Sequence, residues 1–425
     1  MHPIVRTLAF SVLLVLSETP PAAADPVLEW NTAALHAAGS ASFNPPLEAR
    51  NLAIVHAAIF DAANAFRGEF RPYAVRLQPP AGASQDAAVI AAAHRTLVRL
   101  YPEQTPALDA LASESLGQLP SGPSREAGVA FGREVADQLL SLRASDGAAE
   151  AIAASYCPGS GPGAWVPTPS AFRPALDPGW GTVAPFLLRI PSQFRPHPPP
   201  ALPSRQYTTD FLEIRDVGSL GSTTRTAEQT ALARLWISTA PQVWNPVARQ
   251  LLQASGLGGA RAARVLALLH LATADAFIAA WDAKFFFSQW RPVTAIRAAE
   301  SDGNPATKPD PRWEPLIATP PFPDYPAGHT ACAGAAEVVL EHLFGRHPGR
   351  PLELTSATAP GVVVRAATVG EIAQGVVNAR VWGGVHWRTS SEEGRRIGRH
   401  IGHLGVRHFL RPVASKEPAG DDEDD

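Results

Sequence analysis

The sequence predicts an all-α protein, and three observations carry that reading. Alanine is abundant while β-branched residues gather only in short runs, a balance that favours helix because small and straight side chains lose little rotamer freedom there. Apolar residues recur at helical spacing along most of the chain. The 425 residues are 45% hydrophobic and 18% charged, a globular composition with enough apolar material for a sizeable core. That length is long for one domain and comfortable for two.

Residues 1–24 read as an export signal: Arg6, an apolar run from Leu8 to Leu16, then Ala22-Ala23-Ala24 as the cleavage site before Asp25. A periplasmic or extracellular protein beginning at Asp25 is expected. No Cys follows the run to carry a lipid, and no other uninterrupted apolar stretch reaches the roughly 18 residues a membrane span needs. Residues 25–150 contain "LEARNLAIVHAAIFDAANAF", "DAAVIAAAHRTLVRLY" and "SREAGVAFGREVADQLLSLR", an expected N-terminal helical bundle. Over 151–205 the texture turns to Pro, Gly and Trp, which marks either a linker or a functional cover.

Residues 206–412 are expected to form a C-terminal helical domain, in which helical spacing resumes at about Thr226 and a long pattern runs from Gly259 through Trp290 until Pro292 breaks it. "TACAGAAEVVLEHLF" is a further helix, stopped near Gly345, while "GVVVRAATVG" is undecided between strand and loop. "EIAQGVVNARVW" and "SSEEGRRIGRHIGHLGVRHFL" are the last helices. Residues 413–425 are expected to form an acidic, disordered tail. The net charge of -3 depends on that tail, where one Lys stands against six acidic residues and without which the charge is about +2, and no basic stripe interleaved with aromatics is present, so neither nucleic acid nor a membrane surface is an expected partner.

Cys157 and Cys332 are too few for a disulfide framework, though an oxidising compartment would allow one bridge if they are neighbours. No Cys/His spacing suggests zinc or an iron–sulfur cluster. His56 and Asp61 could be a metal pair, but a buried helix face with local hydrogen bonds is the expected reading, and Trp244-Asn245 is likewise assigned a structural role.

Three stretches carry chemistry. "WDAKFFFSQWRP", residues 281–292, holds one of only three lysines among 36 basic residues. Lys284 and Arg291 are seven apart, nearly two helical turns, which predicts both cations on one helix face with Trp281 near the same stripe. Such a pair needs an anion, or else it reaches solvent or a carboxylate such as Asp282. "YPAGHT" sets backbone N–H groups, notably that of Gly328, at the positive end of a helix dipole with His329 at its mouth, although an ordinary helix start would read the same. "NARVWGGVHW" separates Arg380 and His386 by five residues that include Gly383 and Gly384, so a tight turn can bring guanidinium and imidazole to one point.

Taken in order these are K-x6-R-P, P-A-G-H and R-x5-H, and in them the chain resembles the vanadium-dependent haloperoxidase and type 2 phosphatidic acid phosphatase (PAP2) superfamily. The superfamily signature is K-x6-R-P, P-S-G-H and S-R-x5-H-x3-D. "VLEWN", "WVPTP", "WGTVAPF" and the C-terminal helices look like its soluble bacterial haloperoxidase-like branch. The resemblance implies helical bundles with a four-helix-bundle core carrying an oxyanion site. It implies that Lys284, Arg291, Arg380 and the Gly328 N–H hold the oxygens of phosphate or vanadate. His386 would bond the vanadium or attack phosphorus, His329 would move protons, and Lys284 would also act on bound peroxide. Cations and fixed dipoles that make a dry pocket tolerable for an oxyanion also stabilise a phosphoryl transition state.

The implied activity is halide oxidation by hydrogen peroxide on bound vanadate, without haem or flavin. A secreted acid phosphatase working through a phosphohistidine on a phosphate ester stays open beside it, as does a non-catalytic oxyanion-binding protein. Small molecules are the expected partners, and a homodimer is left open. Three letters depart from the signature: Ala327 and Ala379 replace serines, and Ser390 stands where the motif has Asp, in the second shell of His386, able to orient the ring but supplying no charge. Trp281 and Phe322 resemble the chloroperoxidase arrangement, as a halide site or a pocket wall.

Overall fold

The computed structural model describes residues 25–40 and 44–413, so the expected export signal at 1–24 and the expected acidic tail beyond Val413 lie outside the described residues. The first half contains α1 (Pro26–Ser40), α2 (Pro45–Asn64), α3 (Gln85–Leu100), α4 (Thr105–Gly117), α5 (Pro123–Arg143) and α6 (Ala148–Ala153). After a long irregular stretch come α7 (Arg205–Val217), α8 (Ala227–Leu235), α9 (Ala240–Ser255), α10 (Gly259–Phe287) and α11 (Pro292–Arg297). The last helices are α12 (Gly328–Phe344), α13 (Val369–Trp382) and α14 (Arg388–His408). The undecided Val-rich stretch contributes a strand: β2 (Val364–Ala366) pairs antiparallel with β1 (Leu352–Leu354).

Helix starts follow from local chemistry. Asn44, Ser84, Ser204 and Thr368 each accept a backbone N–H at the head of α2, α3, α7 and α13, and Thr226 with Gln229 forms a capping box on α8.

Helix α10 is the axis of the molecule. It is long and apolar enough by composition to cross a membrane, but His270 and Asp275 interrupt the run, in keeping with the expectation of no uninterrupted span, and 94% of its apolar window is buried inside the chain. Helix α2 packs along one side of it, and α12, α13 and α14 complete a four-helix group with it on the other. One hydrophobic core therefore runs from Val27 to Leu410 through both halves.

The polar residues of α2 serve that packing. His56 stacks on His270 of α10, ring centroids 4.4 Å apart, and Asn245 accepts from Asn31 (2.7 Å) while lying 2.8 Å from His270 Nε2. Asp61 points elsewhere, accepting the backbone N–H groups of Tyr73, Ala74 and Val75 at 2.7–2.9 Å. His56 and Asp61 are thus apart in their bonding, and the structural role expected of both, and of Asn245, is what their contacts show.

Close approach of α12 and α14 rests on small residues. A Cβ added at Gly398 would overlap the Ala331 carbonyl oxygen, and one at Gly394 would overlap that of Ala327. The irregular segment before α7 lies over the bundle: Trp165 and Trp180 are buried, Asp275 of α10 accepts the N–H groups of Phe186, Leu187 and Leu188 at 2.7–2.8 Å, and Leu176 N–H donates to Pro321. It is a cover. Cys157 is exposed in this segment and Cys332 is buried in α12, both free, so the bridge that an oxidising compartment would permit does not form.

Candidate active site

Lys284 comes from the last turn of α10, which ends because Ser288 adopts a left-handed conformation (φ 49°). The expected single helix face for Lys284 and Arg291 is therefore corrected: Arg291 is the extended residue before Pro292, the first residue of α11. Proline excludes the helical conformation from the residue before it, so an extended backbone delivers the guanidinium. The two cations still converge, because both grip one loop. Lys284 Nζ donates to the carbonyls of Pro323 and Asp324, each at 2.8 Å, and Arg291 Nε donates to that of Phe322 at 2.7 Å. Asp282, the other carboxylate in reach by sequence, instead takes a forked ion pair from Arg195 of the cover, at 2.8 and 2.7 Å.

The same loop leads into α12, whose first turn has no side-chain cap, leaving the N–H groups at Gly328 for an external acceptor. Gly328 fits closely there, since an added Cβ would lie 3.1 Å from the Trp281 ring and the ring would have to give by a few tenths of an ångström. His329 follows, its Nε2 donating toward the Ser238 carbonyl at 3.1 Å. Arg380 ends α13, with Nη1 on the Trp236 carbonyl at 2.6 Å. The chain then reverses through Gly384 (φ 77°), where a Cβ would overlap the Gly218 carbonyl oxygen, and returns His386 to the same place. Arg291 Nη1 holds the turn by donating to Val385 (2.6 Å) and lies 3.1 Å from His386 Nε2.

Sequence reasoning missed one member. Asp324 is fully buried, with its carboxylate 3.0 Å from His386 Nδ1 and 3.6 Å from Arg291 Nη1. Ser390, expected to orient the imidazole, sends its hydroxyl to the Asp324 backbone carbonyl at 3.1 Å. The signal was in the letters: the motif lacks an acid at 390, and the loop "PFPDYPAGH" carries one. Only the folded loop shows that they address the same ring.

The charges define what the site can hold. Three buried cations face one buried carboxylate. Burial pushes the Lys284 ammonium well below its ordinary value and Arg291 down to about 10, while burial and then Arg291 bring Arg380 down to about 9. The Asp324 carboxyl is raised to about 6 by burial, against the pull of Arg291 and Lys284. His329 is held down to about 3 by burial and then by Arg380, and His386 falls well below its ordinary value for the same kind of reason, so both imidazoles are neutral. Arg291 Nη2 and Arg380 Nε have no partner at all, which an interior tolerates only where an acceptor is missing. A multiply charged oxyanion would meet every one of these unspent donors and relieve the mutual repulsion of the cations.

The walls are aromatic. Trp281 and Phe322 pack at 4.8 Å between centroids, and Lys284 Nζ sits over both rings, 5.8 and 5.0 Å from their centres. Beyond them the site is closed by backbone: the Trp236 and Ser238 carbonyls that hold Arg380 and His329 belong to the stretch between α8 and α9, whose far side lines a cavity of about 700 Å³ with Glu48, Gln242 and Thr358. Among the described residues no group of three or more His, Cys, Asp or Glu is arranged to hold a metal ion directly. The chemistry here is that of an anion cradle.

Residues 264–415 match the family described as the VCPO second helical-bundle domain. The chain is 28% identical to vanadium chloroperoxidase of Curvularia inaequalis over 75% of its own length, and it spans 66%, just under two thirds, of that protein. Its fold resembles the crystal structure of the first bacterial vanadium-dependent iodoperoxidase, with a TM-score of 0.81 at 25% identity, covering 92% of this chain and 98% of that one. A holo-type bacterial vanadium-dependent chloroperoxidase shares the fold with a TM-score of 0.67 at 20% identity, over 87% of this chain and 94% of the other.

Proposed function

We propose that this chain, which resembles the vanadium-dependent haloperoxidase and PAP2 superfamily, is an exported vanadium-dependent haloperoxidase, using hydrogen peroxide to oxidise halide. The observation that carries this reading is the excess of buried cations over carboxylate around His329 and His386, with unpaired donors on Arg291 and Arg380. The same residues fit vanadate. Lys284, Arg291, Arg380 and the Gly328 N–H would hold its oxygens, and His386 would bind the vanadium through Nε2, the nitrogen turned away from Asp324.

Bound vanadate supplies Lewis acidity that prepares peroxide for attack by a halide. The chain's own residues do the rest. Lys284, with two of its three N–H bonds committed to carbonyls, keeps one donor for a negatively charged oxygen in a water-poor site, where such a bond is strong. Neutral His329 can accept a proton and return it, and its Nε2–H bond to Ser238 fixes which nitrogen is free to do so. Trp281 and Phe322 would wall the halide side and keep water out. The export signal read at residues 1–24 supports a periplasmic or extracellular location.

The test is peroxide-dependent halogenation of a phenolic dye by the purified protein, with iodide, bromide and chloride, with and without orthovanadate. Turnover that requires vanadate and vanishes in His386→Ala is expected. Hydrolysis of p-nitrophenyl phosphate, inhibited by vanadate and unaccompanied by halogenation, would overturn the proposal in favour of a phosphatase.

A further inference from the structure

We infer that Asp324 is the positioning carboxylate of His386, supplied by the loop ahead of α12 in place of the acid that position 390 lacks, with Ser390 serving to lock that loop. This rests on the reading of His386 as the oxyanion ligand. The geometry points that way: Asp324 Oδ1 lies 3.0 Å from Nδ1 with no other hydrogen-bond partner, which favours the tautomer with its proton on Nδ1, and the Nε2 lone pair then faces Arg291 Nη1 at 3.1 Å, where a bound oxyanion would compete for that donor.

The loop is built to hold this position. Asp324 N–H donates to Gln289 at 2.9 Å, and its carbonyl accepts from both Lys284 Nζ (2.8 Å) and Ser390 Oγ (3.1 Å). Residues of α10, of the link to α11 and of α14 thus pin one residue from three directions. Ser390 itself is fully buried, and its backbone carbonyl accepts the Ala327 N–H at 3.0 Å, which ties the same turn to the start of α12. A carboxylate at 390 would face Asp324 in a closed space where two like charges repel. Small Ser at 390 and Asp at 324 are therefore one solution, and a carboxylate at 390 with a neutral residue at 324 is another.

That equivalence gives the experiment. Affinity of the unliganded protein for orthovanadate and for inorganic phosphate is measured by calorimetry in the wild type, Asp324→Ala, Asp324→Asn and the double variant Asp324→Ala/Ser390→Asp, with imidazole 15N spectra of His386 assigned by its loss in His386→Ala. Asp324→Ala is expected to weaken vanadate binding about tenfold or more, with Asp324→Asn in between and the double variant restored to within about threefold of wild type. His386 in the wild type is expected to carry its proton on Nδ1, and to lose that preference in Asp324→Ala. Wild-type affinity in a folded Asp324→Ala, no recovery in a folded double variant, or a proton on Nε2 in the wild type would each overturn the inference. If Asp324→Ala does not fold, Asp324→Asn decides alone, with unchanged affinity counting against the inference. Should the wild type bind neither anion, the functional reading fails, and the 15N spectrum still reports whether Asp324 sets the ring.

Discussion

Lys284 is the residue at which composition, geometry and chemistry meet. A chain that uses arginine for nearly all its cations keeps a lysine where a point charge sits beside the Trp281 and Phe322 rings, 5.8 and 5.0 Å from their centres. A planar guanidinium would have to lie across those rings and could not place three N–H bonds around one centre. Lys284→Met keeps length and volume while removing the charge and its donors. The halogenation rate at saturating vanadate is expected to fall about 100-fold, the scale of losing one preorganised donor to developing charge. A rate within a few-fold of wild type would remove Lys284 from the chemistry.

At the scale of elements, the site depends on how closely α12 and α14 approach. Both carry residues that fix the loop around Asp324, and both are held by glycines against backbone. Gly398→Ala forces a methyl group into the Ala331 carbonyl, for which an overpacking cost of about 1–3 kcal/mol in urea unfolding is expected. Because α12 must shift to relieve it, vanadate binding should weaken as well; an unchanged urea midpoint would show that the two helices can part freely. The spacing of Gly394, Gly398 and Gly402 was legible as letters, yet it entered no expectation, because period-four glycines on a helix announce a close neighbour without saying which. Most helices were readable, since apolar periodicity is local, whereas α7, ahead of the point where helical spacing was expected to resume, was not. The element that failed was the joint at 288–292, where a left-handed Ser288 ends the helix three residues before Arg291. The five charged and imidazole residues of the site could be named from three short motifs, whereas Asp324 could not, because its role depends on how a proline-rich loop folds back over α10.

For the whole molecule, the core that runs through both halves also contains its acid sensitivity. His56 is held down to about 3 by burial, and its stacked neighbour His270 lies well below its ordinary value, so both are neutral in the folded chain. In the unfolded chain each takes up a proton as pH falls through about 6.5, while in the folded chain His56 does not until near 3 and His270 stays well below its ordinary value. Stability must therefore fall across that window, by roughly 1.4 kcal/mol per pH unit for each such group. Urea unfolding between pH 6.5 and 4.5 should show a shallower slope in His56→Gln than in the wild type. Parallel slopes would mean that His56 is already charged when folded.

The unspent donors of Arg291 and Arg380 bear on this same balance of folded and unfolded chains. Three cations leave water when the polypeptide folds, before any oxyanion arrives, so their dehydration is borne by folding and not by capture of the ligand. The empty protein is correspondingly less stable, and the ligand that neutralises the site returns stability in proportion to the logarithm of its free concentration. In that thermodynamic sense the oxyanion is the last part of the core to be packed.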